Sequence, residues 1–251
     1  MPLPLAVATG RTLGLALYAA DRRHRERVRE QLGTALGLSP AAAQPLARGV
    51  YRHFGTMIAE CVRHPSWTAA DAEARVDWQG HDRMIRDLYA EGRGVLFCTG
   101  HIGNWEASGA LLCLRGLLHA AVARPLDNPL LDRYANNIRE ACWQRILDKF
   151  GVIRGIVRML REGKGVAMLV DQDAGRQGVF VPFFGRPGST IPTPADIALR
   201  TGCPLVVGGM HRTAAPLHFV VHAHPPLRPD PSADPREERL RLLTRMNELL
   251  C

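Results

Sequence analysis

The feature that most constrains the fold is the alternation of short apolar runs with longer helical segments after residue 93. The runs GVLFC at 94–98 and GVAMLV at 165–170 are typical of buried strands. Helical segments lie between such runs, and a strand–helix alternation predicts βαβ crossovers. The sequence therefore predicts an α/β fold with a central, mostly parallel sheet flanked by helices.

The predicted elements cover most of the chain. Strands are predicted at 94–98, 120–124, 165–170, 178–184, 204–212 and 218–224, and helices at 11–37, 40–63, 80–91, 105–118, 129–150, 157–163, 194–201 and 235–251. Internal repeats, low-complexity tracts and Gly/Ser linkers are absent from the sequence. We therefore expect a single domain over 1–251, with a helical N-terminal region at 1–90 and an α/β core at 91–251.

Composition and charge restrict the class of protein and its partners. With 46% apolar and 22% charged residues, the chain can bury a sizeable core, which excludes disorder. A net charge of +8 favours negatively charged partners: nucleic acid, an anionic membrane face or a phosphorylated substrate. Aromatic residues make up only 6% and do not interleave with the basic clusters, so we expect no nucleic-acid partner. Arginine supplies nearly all of the positive charge, which suits phosphate recognition but equally fits a GC-rich genome.

The six cysteines are scattered without a CxxC pair or regular spacing. Neither a zinc site nor a disulfide framework is indicated, and a reducing compartment fits best. We expect no metal and no cofactor.

The N-terminus combines an apolar stretch with a basic one. The first 20 residues are apolar but contain Pro2, Pro4 and Arg11, and five arginines follow between 22 and 29. A span needs about 20 uninterrupted apolar residues, and a signal peptide carries its positive charge before the apolar stretch. The pattern favours a helix that lies on an anionic membrane surface, or alternatively an amphipathic helix packed on its own core.

Two polar clusters follow predicted strands. They are Thr-Gly-His-Ile-Gly-Asn-Trp-Glu at 99–106 and Asp-Gln-Asp at 171–173. In open α/β sheets, ligands bind beyond the carboxyl ends of the strands, so these clusters are the candidate site.

His101 and Glu106 are the candidate catalytic pair. Five residues of helix turn the chain by about 500°, which separates the two side chains, so His101 must precede the helix. Asn104 is a suitable N-cap, which places Glu106 in the first turn, and Gly103 allows close backbone approach to a substrate. A neutral histidine oriented by a carboxylate is what general-base activation of a hydroxyl needs. The alternative is a loop histidine beside an ordinary helix-start charge.

Four further residues are candidates for substrate binding. Arg124 at a strand end and Arg139 within a helix could meet a phosphate or a developing oxyanion, although most arginines are solvated surface charges. Asp171 and Asp173 lack a third metal ligand at a recognisable spacing, so we expect them to position a polar headgroup or a neighbouring arginine.

Several segments together resemble a known family. They are GVLFCTGHIGNWEASGA at 94–110, ARPLDNPLLDRYANNIRE at 123–140 and VAMLVDQDAGRQGVFVPFFGRPGST at 166–190. In order and spacing they are similar to the bacterial lipid A biosynthesis (lauroyl/myristoyl) acyltransferases, and the resemblance extends from about Gly14 to Pro226. It implies an architecture similar to that of the glycerol-phosphate acyltransferases.

The resemblance also implies a mechanism and residue roles. His101 would deprotonate an acceptor hydroxyl, Glu106 would orient and polarise His101, and Arg139 would assist near them. The hydroxyl would attack the thioester of an acyl carrier protein or of acyl-coenzyme A, without a covalent acyl-enzyme. Arg124 would line the cleft, and Asp171 and Asp173 match a D-x-D segment of the family. Independently of the resemblance, we also expect Gly103 and Asn104 to contribute to substrate binding.

The expected acceptor is a lipid A precursor or a related phosphorylated glycolipid. A lysophospholipid, an aminolipid or a specialised-pathway product stays open as an alternative acceptor, as does a non-catalytic homologue that binds anionic lipid. The resemblance places the protein peripherally at the cytoplasmic face of the bacterial inner membrane, with an anionic membrane surface as a partner.

Overall fold

The computed structural model describes residues 2–142, 145–148 and 152–251. Contacts between these residues divide the chain into two compact units, one ending at Arg63 and the other running from His64 to Cys251. The expectation of one domain over 1–251 stays a prediction.

The first unit contains three helices: α1 (Leu3–Ala20), α2 (Arg22–Leu36) and α3 (Pro40–Cys61). The single helix predicted at 11–37 is wrong because the chain breaks at Asp21. The Asp21 carboxylate accepts the backbone N–H of His24 at 3.1 Å and thereby caps α2.

Helix α1 packs against α3 through glycines. A side chain at Gly10 would collide with the Gly55 backbone, and one at Gly14 would collide with the Tyr51 backbone. The edge-to-face pair of Tyr18 and Tyr51, with centroids 5.4 Å apart, extends this contact. Small residues thus let two helix backbones approach closely, as they do in membrane proteins.

Helix α1 is uninterrupted. It begins at Leu3, earlier than the predicted residue 11, because Pro2 is its N-cap and Pro4 lies in its first turn, where proline is tolerated. Among the described residues, α1 is the one helix long and apolar enough to cross a membrane by length and composition. Its side chains are largely exposed, with Leu5, Leu13 and Leu17 all more than half accessible.

The second unit is built on a sheet. Its helices are α4 (Ala69–Arg75), α5 (His81–Ala90), α6 (Trp105–Leu114), α7 (Pro129–Ala141), α8 (Val152–Arg161), α9 (Thr193–Thr201) and α10 (Pro235–Leu250). Its strands are β1 (Val76–Asp77), β2 (Val95–Thr99), β3 (Ala120–Ala123), β4 (Arg145–Asp148), β5 (Gly165–Leu169), β6 (Val179–Phe183), β7 (Arg186–Thr190), β8 (Leu205–Arg212) and β9 (Phe219–Ala223).

The main sheet, over the described residues, has seven strands in the order β1-β9-β8-β2-β5-β3-β4. All adjacent pairs are parallel except β8 with β9. This confirms the predicted α/β fold with a mostly parallel sheet and a helical N-terminal region.

Two predicted elements are corrected. The helix predicted at 129–150 ends at Ala141, and Arg145–Asp148 forms edge strand β4 beside β3; positions 143–144 and 149–150 of that prediction lie outside the described residues. The strand predicted at 178–184 is not part of the main sheet, because it pairs with β7 in a separate antiparallel hairpin.

The two faces of the sheet are packed differently. On one face, Leu96 and Cys98 of β2 join a buried cluster formed with α8, α9 and α10. On the other face, Phe97 and Thr99 of the same strand line a cavity beneath α6. Successive side chains of a strand point to opposite faces, so one strand supplies both environments.

Candidate active site

The two polar clusters meet at the carboxyl edge of the sheet. Strands β2 and β5 are parallel neighbours, with Thr99 opposite Leu169. The loops that follow them, 100–104 and 171–178, therefore leave the sheet side by side. This confirms that the clusters share one edge.

His101 is held by Asp171. The ring Nδ1 lies 2.8 Å from one carboxylate oxygen of Asp171, and the backbone N–H of His101 donates to the other at 2.7 Å. Burial by itself would raise the Asp171 pKa, but the hydrogen bonds and the proximity of His101 bring it below its usual range. Because an ionised carboxylate only accepts, Nδ1 carries the hydrogen, and in the neutral ring Nε2 therefore has the lone pair. That is the tautomer of a general base.

Glu106 is held by Arg139. The arginine donates from Nε at 2.9 Å and from one terminal nitrogen at 2.6 Å, which is a bidentate pair. The side chains are only 19% and 17% exposed. Burial acts to raise the Glu106 pKa, but Arg139, with hydrogen-bond and charge contributions, lowers it below the ordinary value. Asn136 accepts a further hydrogen bond from Arg139 at 3.2 Å.

Sequence reasoning missed two neighbours of this pair. The Trp105 ring lies edge-to-face against His101, with centroids 4.8 Å apart, and its side chain hydrogen-bonds Glu106. His64 is 2% exposed, stacks on Trp67 at 4.3 Å and interacts electrostatically with Glu106. Trp105 had a signal, its position between an N-cap and a candidate acid; His64, 42 residues upstream of Glu106, had none.

A mostly apolar cavity opens beside Glu106. It encloses about 840 Å³, including its open mouth. Glu106 and Arg139 line it, whereas His101 and Asp171 are not among the described residues that do. Its apolar lining includes Ile85, Phe97, Trp105, Leu112, Leu118, Ala121, Val122, Ala123, Ile146, Ala167, Leu169, Val206, Met210, Val221 and Ala223.

The remaining predicted binding residues are distributed around this centre. Gly103 has a φ of +58° and abuts the Met210 backbone, while Asn104 is fully buried and caps α6 by accepting the Ala107 N–H at 3.0 Å. Both therefore shape the loop that presents His101. Substrate contact by either residue stays a prediction.

Arg124 and Asp173 lie in exposed loops. The Arg124 side chain is 73% exposed and its terminal nitrogen lies 3.6 Å from Asp127. Asp173 accepts the Gly175 N–H at 2.9 Å and so forms a local turn rather than joining Asp171 on His101. Within the described ranges, no group of three or more His, Cys, Asp or Glu side chains is arranged to hold a metal ion.

A histidine held by a carboxylate and a mostly apolar cavity both lie at the carboxyl edge of a parallel sheet, an arrangement typical of the sites of α/β enzymes. The family described as bacterial lipid A biosynthesis acyltransferase matches residues 1–250. The chain belongs to that family, and this confirms the resemblance found in the sequence.

Curated relatives agree with this assignment. A phosphatidylinositol mannoside acyltransferase of Mycobacterium tuberculosis (strain CDC 1551 / Oshkosh) is 29% identical over 76% of this chain and 62% of its own length. One of Mycolicibacterium smegmatis is 27% identical over 81% of this chain and 68% of its own length. Lipid A biosynthesis acyltransferase 2 of Shigella flexneri is 26% identical over 48% of this chain and 38% of its own length. The chain thus spans less than two thirds of the M. tuberculosis relative.

Proposed function

We propose that this protein transfers a fatty acyl chain from a thioester to a hydroxyl of a phosphorylated glycolipid, with His101 as the general base. The observation that carries the proposal is the hydrogen bond between His101 Nδ1 and Asp171, which leaves Nε2 of the neutral ring free to accept a proton. His101 also contacts Trp105, which lines the cavity. Membership of an acyltransferase family supports the same reaction class.

The proposed reaction proceeds in two proton-coupled steps. His101 Nε2 takes the hydroxyl proton of the acceptor while the hydroxyl oxygen attacks the thioester carbonyl carbon. The tetrahedral intermediate then collapses, the C–S bond breaks, and the leaving thiolate takes the proton from Nε2. The acyl chain passes directly to the acceptor, and the histidine ends in the state in which it began.

Each carboxylate has its own part in this proposal. Asp171 keeps His101 in the base tautomer and stabilises the imidazolium that forms. Glu106 holds Arg139 beside the cavity, where the guanidinium stabilises negative charge on the thioester oxygen. Direct orientation of His101 by Glu106, as the family resemblance implies, stays a prediction; the ring hydrogen bond comes from Asp171.

The cavity is the proposed site of the acyl chain. Its lining is mostly aliphatic, and burial of methylene groups is worth about 0.8 kcal/mol each, so a long chain gains considerable affinity there. The donor is an acyl carrier protein or acyl-coenzyme A, both of which present the chain as a thioester.

The proposed acceptor is a phosphorylated glycolipid. Relatives are named for phosphatidylinositol mannoside and for lipid A biosynthesis, and both lipids carry phosphate. Arg124 is exposed next to the end of β3 and is the proposed phosphate contact, together with the loop of Gly103 and Asn104 and the carboxylates of Asp171 and Asp173 for sugar hydroxyls.

The first unit is the proposed membrane contact. Up to Arg63 the chain carries nine arginines against four carboxylates, a net +5 of the chain's +8. Exposed leucines on α1 supply apolar area, and α2 supplies arginines for anionic headgroups. We propose peripheral binding at the cytoplasmic face of the inner membrane, with both units working as one acyltransferase domain. Flotation with anionic but not with neutral vesicles is the expected result.

The function is tested by offering purified protein lauroyl- and palmitoyl-thioesters of coenzyme A and of acyl carrier protein. Phosphatidylinositol mannoside and a lipid A precursor are offered as acceptors, and products are identified by mass spectrometry. We expect an acyl-sized mass gain in one acceptor, and a loss of at least about 10³-fold in rate for His101→Ala. Undiminished transfer by a folded His101→Ala protein would contradict the proposal.

A further inference from the structure

Trp105 lies between the side chains of His101 and Glu106 and contacts both. It is the first residue of α6, immediately after the Asn104 cap and before Glu106. Its ring is 4.8 Å from the His101 ring at an interplanar angle of 75°. Its indole N–H donates to the Glu106 carboxylate, and its ring lines the cavity.

These contacts link five side chains in a continuous series from Asp171 to Arg139. Asp171 binds His101, His101 packs edge-to-face on Trp105, Trp105 donates to Glu106, and Glu106 binds Arg139. Within that series, Trp105 is the side chain that contacts both His101 and Glu106.

We propose that Trp105 is a positioning residue that couples His101 to Glu106 and thereby fixes the base relative to the cavity. The proposal rests on the acyl transfer proposed above and assigns no proton transfer to Trp105 itself. It explains how an acid five residues after the histidine acts on it without a direct bond.

The geometry of His101 shows why such a residue is needed. The ring is held at Nδ1, and the side chain is 32% exposed in a loop. One hydrogen bond leaves the ring plane free to rotate about that contact, whereas an edge-to-face neighbour restricts the plane. Trp105 is itself fixed at its far end, because its N–H is bonded to a carboxylate that Arg139 holds from two nitrogens.

A simpler role is that Trp105 is only a wall of the cavity. The two roles predict different kinetics. A wall residue contributes equally to bound substrate and transition state, so its loss raises KM and leaves kcat unchanged. A positioning residue acts on the reacting geometry, so its loss lowers kcat.

The test compares Trp105→Phe with Trp78→Phe. Phenylalanine keeps an aromatic ring against His101 and the cavity but removes the N–H that binds Glu106. Trp78 is the matched control, because it is buried in the same unit and its Nε1 has no hydrogen-bond partner in the described part of the chain. We measure kcat, KM for lauroyl-coenzyme A or lauroyl-acyl carrier protein, and Tm for wild type and both variants.

We expect Trp105→Phe to lower kcat about tenfold, as loss of a hydrogen bond to a charged group does, with KM within about twofold of wild type. Trp78→Phe is expected to keep wild-type kcat with a similar change in Tm. An unchanged kcat for Trp105→Phe, or a loss seen only in KM, overturns the proposal.

A second substitution removes any ambiguity from misfolding. Benzothienylalanine at position 105 keeps the bicyclic shape and replaces the N–H by sulfur, and it should reproduce the kcat loss. If the wild-type protein transfers no acyl chain at all, the proposed function fails and this inference fails with it. If wild type is active and His101→Ala is not, the function stands and the position-105 variants alone decide.

Discussion

The two halves of the site differ in what holds the carboxylate and in what each half faces. In one half Asp171 holds His101, and the histidine is 32% exposed at the edge of the sheet. In the other half Glu106 holds Arg139, and both side chains line the apolar cavity and are less than 20% exposed. In the proposed reaction, the solvent-exposed half therefore receives the acceptor hydroxyl, and the buried half receives the acyl thioester.

The largest expected effect is in the His101 half. Asp171→Asn removes the charge that fixes the tautomer and stabilises the imidazolium, so we expect kcat to fall about 10³-fold. Asp173→Asn is the control for kcat, since in the described part of the chain that carboxylate bonds the Gly175 backbone and not His101, and its proposed contact with a sugar hydroxyl affects KM for the acceptor. Steady-state kinetics checks both variants, and a loss of similar size in the control would remove the distinction between the two aspartates.

In the other half, the expected effect is on stability as well as on rate. Arg139→Met leaves the Glu106 carboxylate in a largely buried position without its bidentate partner, and we expect a loss of about 3 kcal/mol in the free energy of unfolding. Arg124→Met, at a side chain 73% exposed, should cost less than about 0.5 kcal/mol. Urea denaturation measures the free energy of unfolding of both variants. Equal losses would show that the Glu106–Arg139 pair contributes no more to stability than an exposed arginine does.

The Glu106 half should also be the acid-sensitive one. Burial lowers the pKa of His64 to about 4, against a smaller opposing effect of Glu106. An unfolded histidine binds its proton near pH 6.5, so the unfolded state holds more protons between about pH 6.5 and 4 and stability falls as the pH falls through that window. Near pH 4 this contribution amounts to about 3 kcal/mol.

His64→Phe keeps a ring on Trp67 and removes the titration. Its free energy of unfolding should therefore depend less steeply on pH over the same window. His81, His119 and His211 also have lowered pKa values through burial, but they are present in both proteins and cancel in the comparison. Parallel pH profiles for the two proteins would rule out His64 as the source.

The smallest expected effect concerns the cavity beneath the Glu106 half. Ala167→Leu adds volume to the cavity lining and should shift preference toward shorter acyl donors by about tenfold, with little change in Tm. Ala198→Leu, on the packed face, has no space to fill and should cost about 1–3 kcal/mol instead. Competition between lauroyl and palmitoyl donors measures the shift. An unaltered ratio of the two transfer rates would show that the acyl chain does not bind in this cavity.

The sequence predicts the sheet and the edge that carries the site. Glycine-bounded apolar runs identified β2 and β5, and the polar residues directly after them had to meet because neighbouring parallel strands end at one edge. Strand β4 was missed because Arg145–Asp148 follows a segment of helical composition and owes its conformation to pairing with β3, which is a tertiary effect.

The hydrogen bonds between the site residues were harder to predict than the residues themselves. His101, Glu106 and Arg139 were each chosen from the sequence, but the Asp171–His101 hydrogen bond joins residues 70 positions apart. Spacing along the chain suggested Glu106 as the partner of His101, since both belong to one motif. Which carboxylate reaches the ring depends on strand order and loop path, which local sequence does not specify.

The most direct test of the account is the Nδ1–H resonance of His101 in protein labelled with ¹⁵N-histidine, assigned by its loss in His101→Gln. A hydrogen bond to a carboxylate moves this proton strongly downfield. We predict that the downfield signal persists in Glu106→Gln and is lost in Asp171→Asn. If the downfield signal instead persists in Asp171→Asn and is lost in Glu106→Gln, then Glu106 and not Asp171 accepts the hydrogen bond from His101.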